Sequence, residues 1–163
     1  MSEPLNMMQQ LNERVNKDEA AYVQAAIQPT LNWESIVGYL QHCADNDLGE
    51  PVNILTYRLP VAEQLDSIKP VVEYFNNNLD KNVLGAEIFV GLTTKQESKY
   101  TSNHSTLLWQ LMGQATFSIR GEKRFLVSGD LVFIPKETEY IVKPDSANAH
   151  VLFSLNKGED VDD

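Results

Sequence analysis

Apolar positions along this chain change their spacing near residue 85. Before that point they recur mainly at helical intervals. After it they alternate or cluster in short runs, as strands do. Two short amphipathic segments, Leu5–Val15 and Asp18–Ile27, are expected to be helices. A stronger helix follows. Asn32 is placed to cap it, and Trp33, Ile36, Val37, Leu40 and Cys43 fall on one stripe. Val52–Leu59, bounded by Pro51 and Pro60, reads as a strand. A helix over about residues 67–79 buries Ile68, Val71, Val72, Phe75 and Leu79, with Ser67 as its expected cap. Pro70 is tolerated in its first turn, where a missing N–H costs little. Asn76-Asn77-Asn78 is poor helix material and marks the end.

The second half consists of apolar runs separated by turn residues. The runs are Ala86–Leu92, Thr106–Met112, Ala115–Arg120, Arg124–Val127, Leu131–Ile134, Glu139–Val142 and Ala149–Leu155. Gly113, Gly121, Gly129 and Pro144 fall in the breaks. Many short strands joined by tight turns predict an antiparallel sandwich or barrel. The fold class is therefore mainly β with N-terminal helices. Residues 1–84 form a helical cover with one strand, within the same domain. Residues 85–156 form the barrel, and residues 157–163 an acidic disordered tail. The helices are expected to cover one face or edge of the barrel and shield its open strands.

Composition narrows the function classes. A formal net charge of −10 repels phosphate backbones and anionic headgroups, so neither nucleic acid nor a membrane surface is an expected partner. Cys43 is the one cysteine, which excludes an intramolecular disulfide and a CxxC metal site. No run approaches the length of a membrane span, and the first residues do not read as a signal peptide. A cytoplasmic location is the expectation.

Two segments carry a family resemblance. Leu107 to Ile119, with its Gln110-Leu111-Met112-Gly113 turn, resembles the central hairpin of cupin and JmjC-type barrels. Ser128-Gly129-Asp130-Leu131-Val132-Phe133-Ile134-Pro135 resembles the second cupin motif, a Gly-Asp turn followed by an apolar strand and a proline. The resemblance covers roughly residues 86–156. It implies a cupin-type double-stranded β-helix, or jelly-roll, barrel.

In catalytic JmjC-like proteins two histidines and a carboxylate hold Fe(II), and a lysine often grips 2-oxoglutarate. Counted from the turn glycines, the resemblance puts Tyr100 at the first histidine, Ser102 at the carboxylate, Tyr140 at the distal histidine and Ala115 at the lysine. Neutral hydroxyls are poor ligands beside imidazole and carboxylate, so a metal and a cofactor are not expected. The candidate ligand-binding residues at the barrel mouth are Tyr100, Ser102, His104, Trp109 and Tyr140. An alternative metal site joins His104 and His150, with Glu87, Glu97, Glu137 or Glu139 as the carboxylate. His42 and Cys43 read as structural.

Trp109, Phe117, Phe133, Tyr140 and Phe153 all lie on expected strands. They either line a pocket for a small apolar or planar ligand or fill the core. The functional expectation is a cupin-like barrel that is non-catalytic or binds a small molecule. The alternative is an Fe(II)/2-oxoglutarate-dependent oxygenase with its metal relocated around His104. A homodimer is expected from family analogy alone.

Overall fold

The computed structural model describes residues 3–17, 19–24, 27, 29, 33–53, 56–60, 68–79, 81–91 and 97–156. Along the chain these form α1 (Glu3–Asn16), β1 (Ala21–Val23), α2 (Trp33–Asp45), β2 (Glu50–Asn53), β3 (Thr56–Pro60), α3 (Lys69–Asn78) and β4 (Asn82–Gly91). Then come β5 (Ser98–Thr101), β6 (Thr106–Met112), β7 (Ala115–Ile119), β8 (Glu122–Leu126), β9 (Leu131–Ile134), β10 (Glu139–Pro144) and β11 (Asn148–Asn156).

The strands make two antiparallel sheets, as expected of a jelly-roll. The larger has the order β1-β9-β6-β11-β4-β3-β2 and the smaller β5-β10-β7-β8. Between them lies one core, where Leu108 and Val132 of the large sheet meet Ala115, Phe117, Ile119, Leu126, Tyr140 and Val142 of the small one. The opposite face of the large sheet carries a second core. There Leu107, Trp109, Phe133, Val151 and Phe153 pack with Leu11 and Val15 of α1, Ile36, Tyr39 and Cys43 of α2, and Val71 and Phe75 of α3. The helices thus pack on one face of the sheet. The central strand β6 is apolar on both sides because both are covered, and all seven of its residues are buried.

Local chemistry explains the element ends. Pro70 sits in the first turn of α3, whose N-cap position is Ile68 with no side-chain cap. Asn32 and Ser67, the expected caps, lie outside the described residues, as does the acidic tail. Asn78 Nδ2 donates to the Tyr74 carbonyl, and the Leu79 N–H donates to the Phe75 carbonyl at 2.8 Å, so the asparagine run closes the helix.

Four expectations are corrected. Asp18–Ile27 is not a helix: Ala21–Val23 is an edge strand pairing with Leu131–Phe133. A β-branched and aromatic segment gains more there from ladder bonds and the core than a short isolated helix would. Val52–Leu59 is not one strand but a hairpin, with Asn53 opposite Thr56. In α2 Ile36 and Cys43 are buried and Trp33 and Leu40 pack against the core as expected, but Tyr39 takes the place of Val37, which is 53% exposed. Ser98–Thr101, outside the expected runs, is a strand pairing with β10. Its residues alternate, with Tyr100 turned inward and Lys99 outward, so only one side of it is apolar.

Candidate functional site

The register of β5 and β10 decides what the barrel interior can do. Tyr100 and Tyr140 are directly opposite each other on these strands. Their rings stack with centroids 5.4 Å apart. Tyr100 then meets Phe89 of β4 edge-on at 6.2 Å, and Phe89 stacks on His150 of β11 at 5.3 Å and 10°. His150 in turn meets Phe117 of β7 edge-on. Five rings from five strands fill this end of the barrel.

Burial governs the chemistry of these rings. It pushes both tyrosine phenols above their ordinary range, Tyr140 further than Tyr100, where a hydrogen bond from Ser98 opposes it. It also lowers His150 to about 3, so this imidazole is neutral at any ordinary pH. The Nδ1 of His150 is buried and has no hydrogen-bond partner.

Gln110 lies opposite His150 on β6. A register shift between Ala149 and His150 leaves Leu111 as an extra residue, a β-bulge. The carbonyl of Leu111 accepts from Ser128 Oγ at 2.7 Å, and that of Met112 accepts from Gln110 Nε2 at 2.8 Å. This orients the Gln110 amide and leaves its buried Oε1 without a partner.

The structure separates the residues expected at the mouth. Tyr100 and Tyr140 are together. Ser102 is not available to a ligand: its hydroxyl donates to the Pro135 carbonyl at 2.6 Å and accepts from the Thr138 N–H at 3.1 Å, which fastens the β9–β10 turn. Trp109 is on the wrong face. It lies in the helix-side core, where its Nε1 donates to the Ile27 carbonyl at 2.8 Å. Phe133 and Phe153 share that side, while Phe117 and Tyr140 face the interior. His104 is exposed in the bend between β5 and β6.

His104 and His150 cannot share a metal. His104 neighbours Ser105, whose carbonyl accepts from the Leu155 N–H at 2.8 Å. Five positions of β11 separate Leu155 from His150, about 16 Å at strand rise. Glu87, Glu97, Glu137 and Glu139 are all exposed, and Glu87 pairs with Arg58 at 3.7 Å. Among the described residues, no three histidine, cysteine or carboxylate side chains converge. The interior donor set is one imidazole and two phenols that resist ionisation, with Ala115 at the position expected for a lysine. It does not suit Fe(II), which prefers imidazole with carboxylate.

Open space lies at the two seams between the sheets. At the β4–β5 seam a cavity of about 10 Å³ is lined by Ser98, Tyr100, Asn148 and His150 among others. At the other seam the terminal strands β1 and β8, with α1, border a groove of about 650 Å³. Tyr22 and Arg124 line it, the guanidinium lying 5.1 Å over the tyrosine ring. Arg124 is also bonded to Glu122 at 2.6 Å. The Tyr22 hydroxyl is buried and without a partner. Burial, then the Glu122 charge, raises its pKa to about 12 against the opposing effect of Arg124. Sequence reading missed both residues of this pair. Tyr22 sat in an expected helix, and nothing in the alternation of β8 says that Arg124 borders a groove.

No family model matches the chain. No curated protein matches it either. Solved structures do. Salicylate 1,2-dioxygenase from Pseudoaminobacter salicylatoxidans matches 76% of this chain with a TM-score of 0.51 and 16% identity, and the match spans 32% of the dioxygenase. An RmlC-like cupin from Shewanella frigidimarina matches 69% of the chain and 86% of its own length at 13% identity, with a TM-score of 0.49. The EutQ protein of Clostridium difficile matches 67% of each chain at 16% identity, with a TM-score of 0.45. At such identities the likeness shows the fold alone, a cupin-type jelly-roll, and it does not extend to the JmjC-type resemblance. No helix of the described residues is long and apolar enough to cross a membrane.

Proposed function

We propose that this chain is a non-catalytic, small-molecule-binding barrel of the cupin type, and that its ligand lies in the groove between β1 and β8. The observation that carries this reading is the distribution of space. Stacked rings fill one end of the barrel interior beside a cavity of about 10 Å³, whereas the groove offers about 650 Å³. Ligand sites are typically about 300–1,000 Å³. The groove also presents the Arg124 guanidinium, stacked on the Tyr22 ring and bonded to Glu122, a charged and planar group that suits a small planar molecule bearing hydrogen-bond acceptors.

The reading assigns neither Fe(II) nor 2-oxoglutarate to the chain. An oxygenase built around His104 is disfavoured by its exposed position, far from the interior and from His150.

The test has two arms. Protein purified without chelators is analysed for metal, and again after incubation with Fe(II) and 2-oxoglutarate. Stoichiometric iron with turnover of 2-oxoglutarate would replace this reading with an enzyme. In parallel, small planar acids and amides are screened for thermal stabilisation of the wild type and of Tyr22→Ala. Stabilisation lost in the variant supports the groove, and stabilisation retained by it removes the ligand from there.

A further inference from the structure

Independently of the groove, we infer that the cavity at the β4–β5 seam is a built site for one water-sized ligand held by His150. Three observations converge on this cavity. Its volume, about 10 Å³, is close to that of a single probe sphere, the lower bound for holding a water molecule. Its lining is mixed: Ser98, Tyr100, Asn148 and His150 bring polar groups to it beside Gly91, Val142 and Pro144. The His150 side chain is almost wholly buried, at 7% exposure, and its Nδ1 has no partner. Gln110, opposite His150 on β6 but outside the lining of this cavity, also has an unpartnered buried acceptor, its Oε1, which is not part of the site.

The protein itself provides no partner for these atoms. The His150 ring is fixed by Phe89 on its face and Phe117 at its edge, neither of which accepts or donates a conventional hydrogen bond. The Gln110 amide is anchored by its donation to the Met112 carbonyl, so its oxygen is not free to turn away. More than nine in ten buried polar groups in folded proteins are paired, with water where protein cannot serve.

The class of ligand follows from the same groups. A neutral imidazole presents one N–H and one lone pair, and either can be at Nδ1. Water donates and accepts, so it suits both tautomers. A metal ion would suit only the lone pair, and no carboxylate lines the cavity to balance its charge. Anything larger than one heavy atom would have to displace the rings.

The experiment detects the water in solution and in the crystal. In wild-type protein, a long-lived cross-peak between water and the His150 ring protons is expected, together with one ordered water within hydrogen-bond distance of a His150 nitrogen at high resolution. A dry cavity, or a His150 Nδ1 bonded to a protein group, overturns the inference. In His150→Phe the water and its cross-peak should vanish while the fold is retained. An ordered water that persists in that variant also overturns it. Should His150→Phe fail to fold, Tyr100→Phe is the second variant: it keeps the imidazole, and the water at His150 should remain with a shortened residence time. Loss of the ring-to-ring arrangement without any change at the water would count against the assignment to this cavity.

Discussion

Tyr100 and Tyr140 face each other across β5 and β10, their rings stacked at 5.4 Å in the barrel interior. The pair fills space with aromatic surface and keeps its phenols un-ionised, because burial raises both. Tyr140→Ala is therefore expected to lower unfolding free energy by about 3–5 kcal/mol, as large aromatic truncations in cores do. Tyr140→Phe should cost about 1 kcal/mol or less. Urea titrations of both variants measure the difference, and equal losses would show that the hydroxyl matters as much as the ring.

Ser102 acts as a clip. Its hydroxyl joins the end of β5 to the turn before β10 through Pro135 and Thr138. Ser102→Ala leaves a buried N–H and a buried carbonyl without that partner, which costs about 1–3 kcal/mol. Amide exchange at Thr138 should accelerate more than at β6. Unchanged exchange there would show that the clip carries no strain.

His150 makes stability depend on pH. Its folded pKa is about 3, against 6.5 for the free imidazole, because burial penalises the charged form. Between these values the unfolded chain binds a proton that the folded chain does not, so stability falls as pH falls. The contribution is whole above 6.5 and is lost progressively towards 3. At about pH 5.5 the loss is about 1.4 kcal/mol relative to neutral pH. The upper part of that window, between neutral pH and about pH 5.5, lies above the usual carboxylate range, and the slope there should be missing from His150→Phe. A wild type as stable at about pH 5.5 as at neutral pH would mean that the imidazole is solvated.

Gly113 turns β6 into β7 with φ of +76°. A Cβ there would overlap the Ala147 carbonyl oxygen and reach Asn148 Cα at 2.7 Å. Both the left-handed conformation and the backbone contact oppose any side chain. Gly113→Ala is expected to destabilise by about 3 kcal/mol or more, seen as soluble yield and a lowered melting temperature. Gly121 also has a positive φ, of +83°, but nothing lies within 4 Å of its Cβ position, so Gly121→Ala should cost clearly less. Similar losses at the two sites would mean that conformation outweighs the contact.

The strands of the second half were legible because turn chemistry punctuates them. Gly113, Gly121 and Gly129 all have positive φ, and Pro144 closes β10. Thr106–Met112 and Leu131–Ile134 coincide with β6 and β9. The short edge strands were not legible. β1 has three residues, and β5 shows only one apolar side, so neither leaves a run long enough to read.

Of the site, the sequence by itself determined which residue types are present; only the family resemblance, counted from the turn glycines, pointed to Tyr100 and Tyr140 as a pair of site positions. It did not determine which way the strands face. β6 is covered on both sides, so Trp109 and Gln110 are equally compatible with helix-side and barrel-side burial, and only the packing of α1, α2 and α3 on one face decided between them. A strand's period of two fixes that neighbours point apart, but not toward what. The same ambiguity hid the stack of His150 on Phe89 and the groove between β1 and β8, because both depend on sheet edges that meet only in three dimensions.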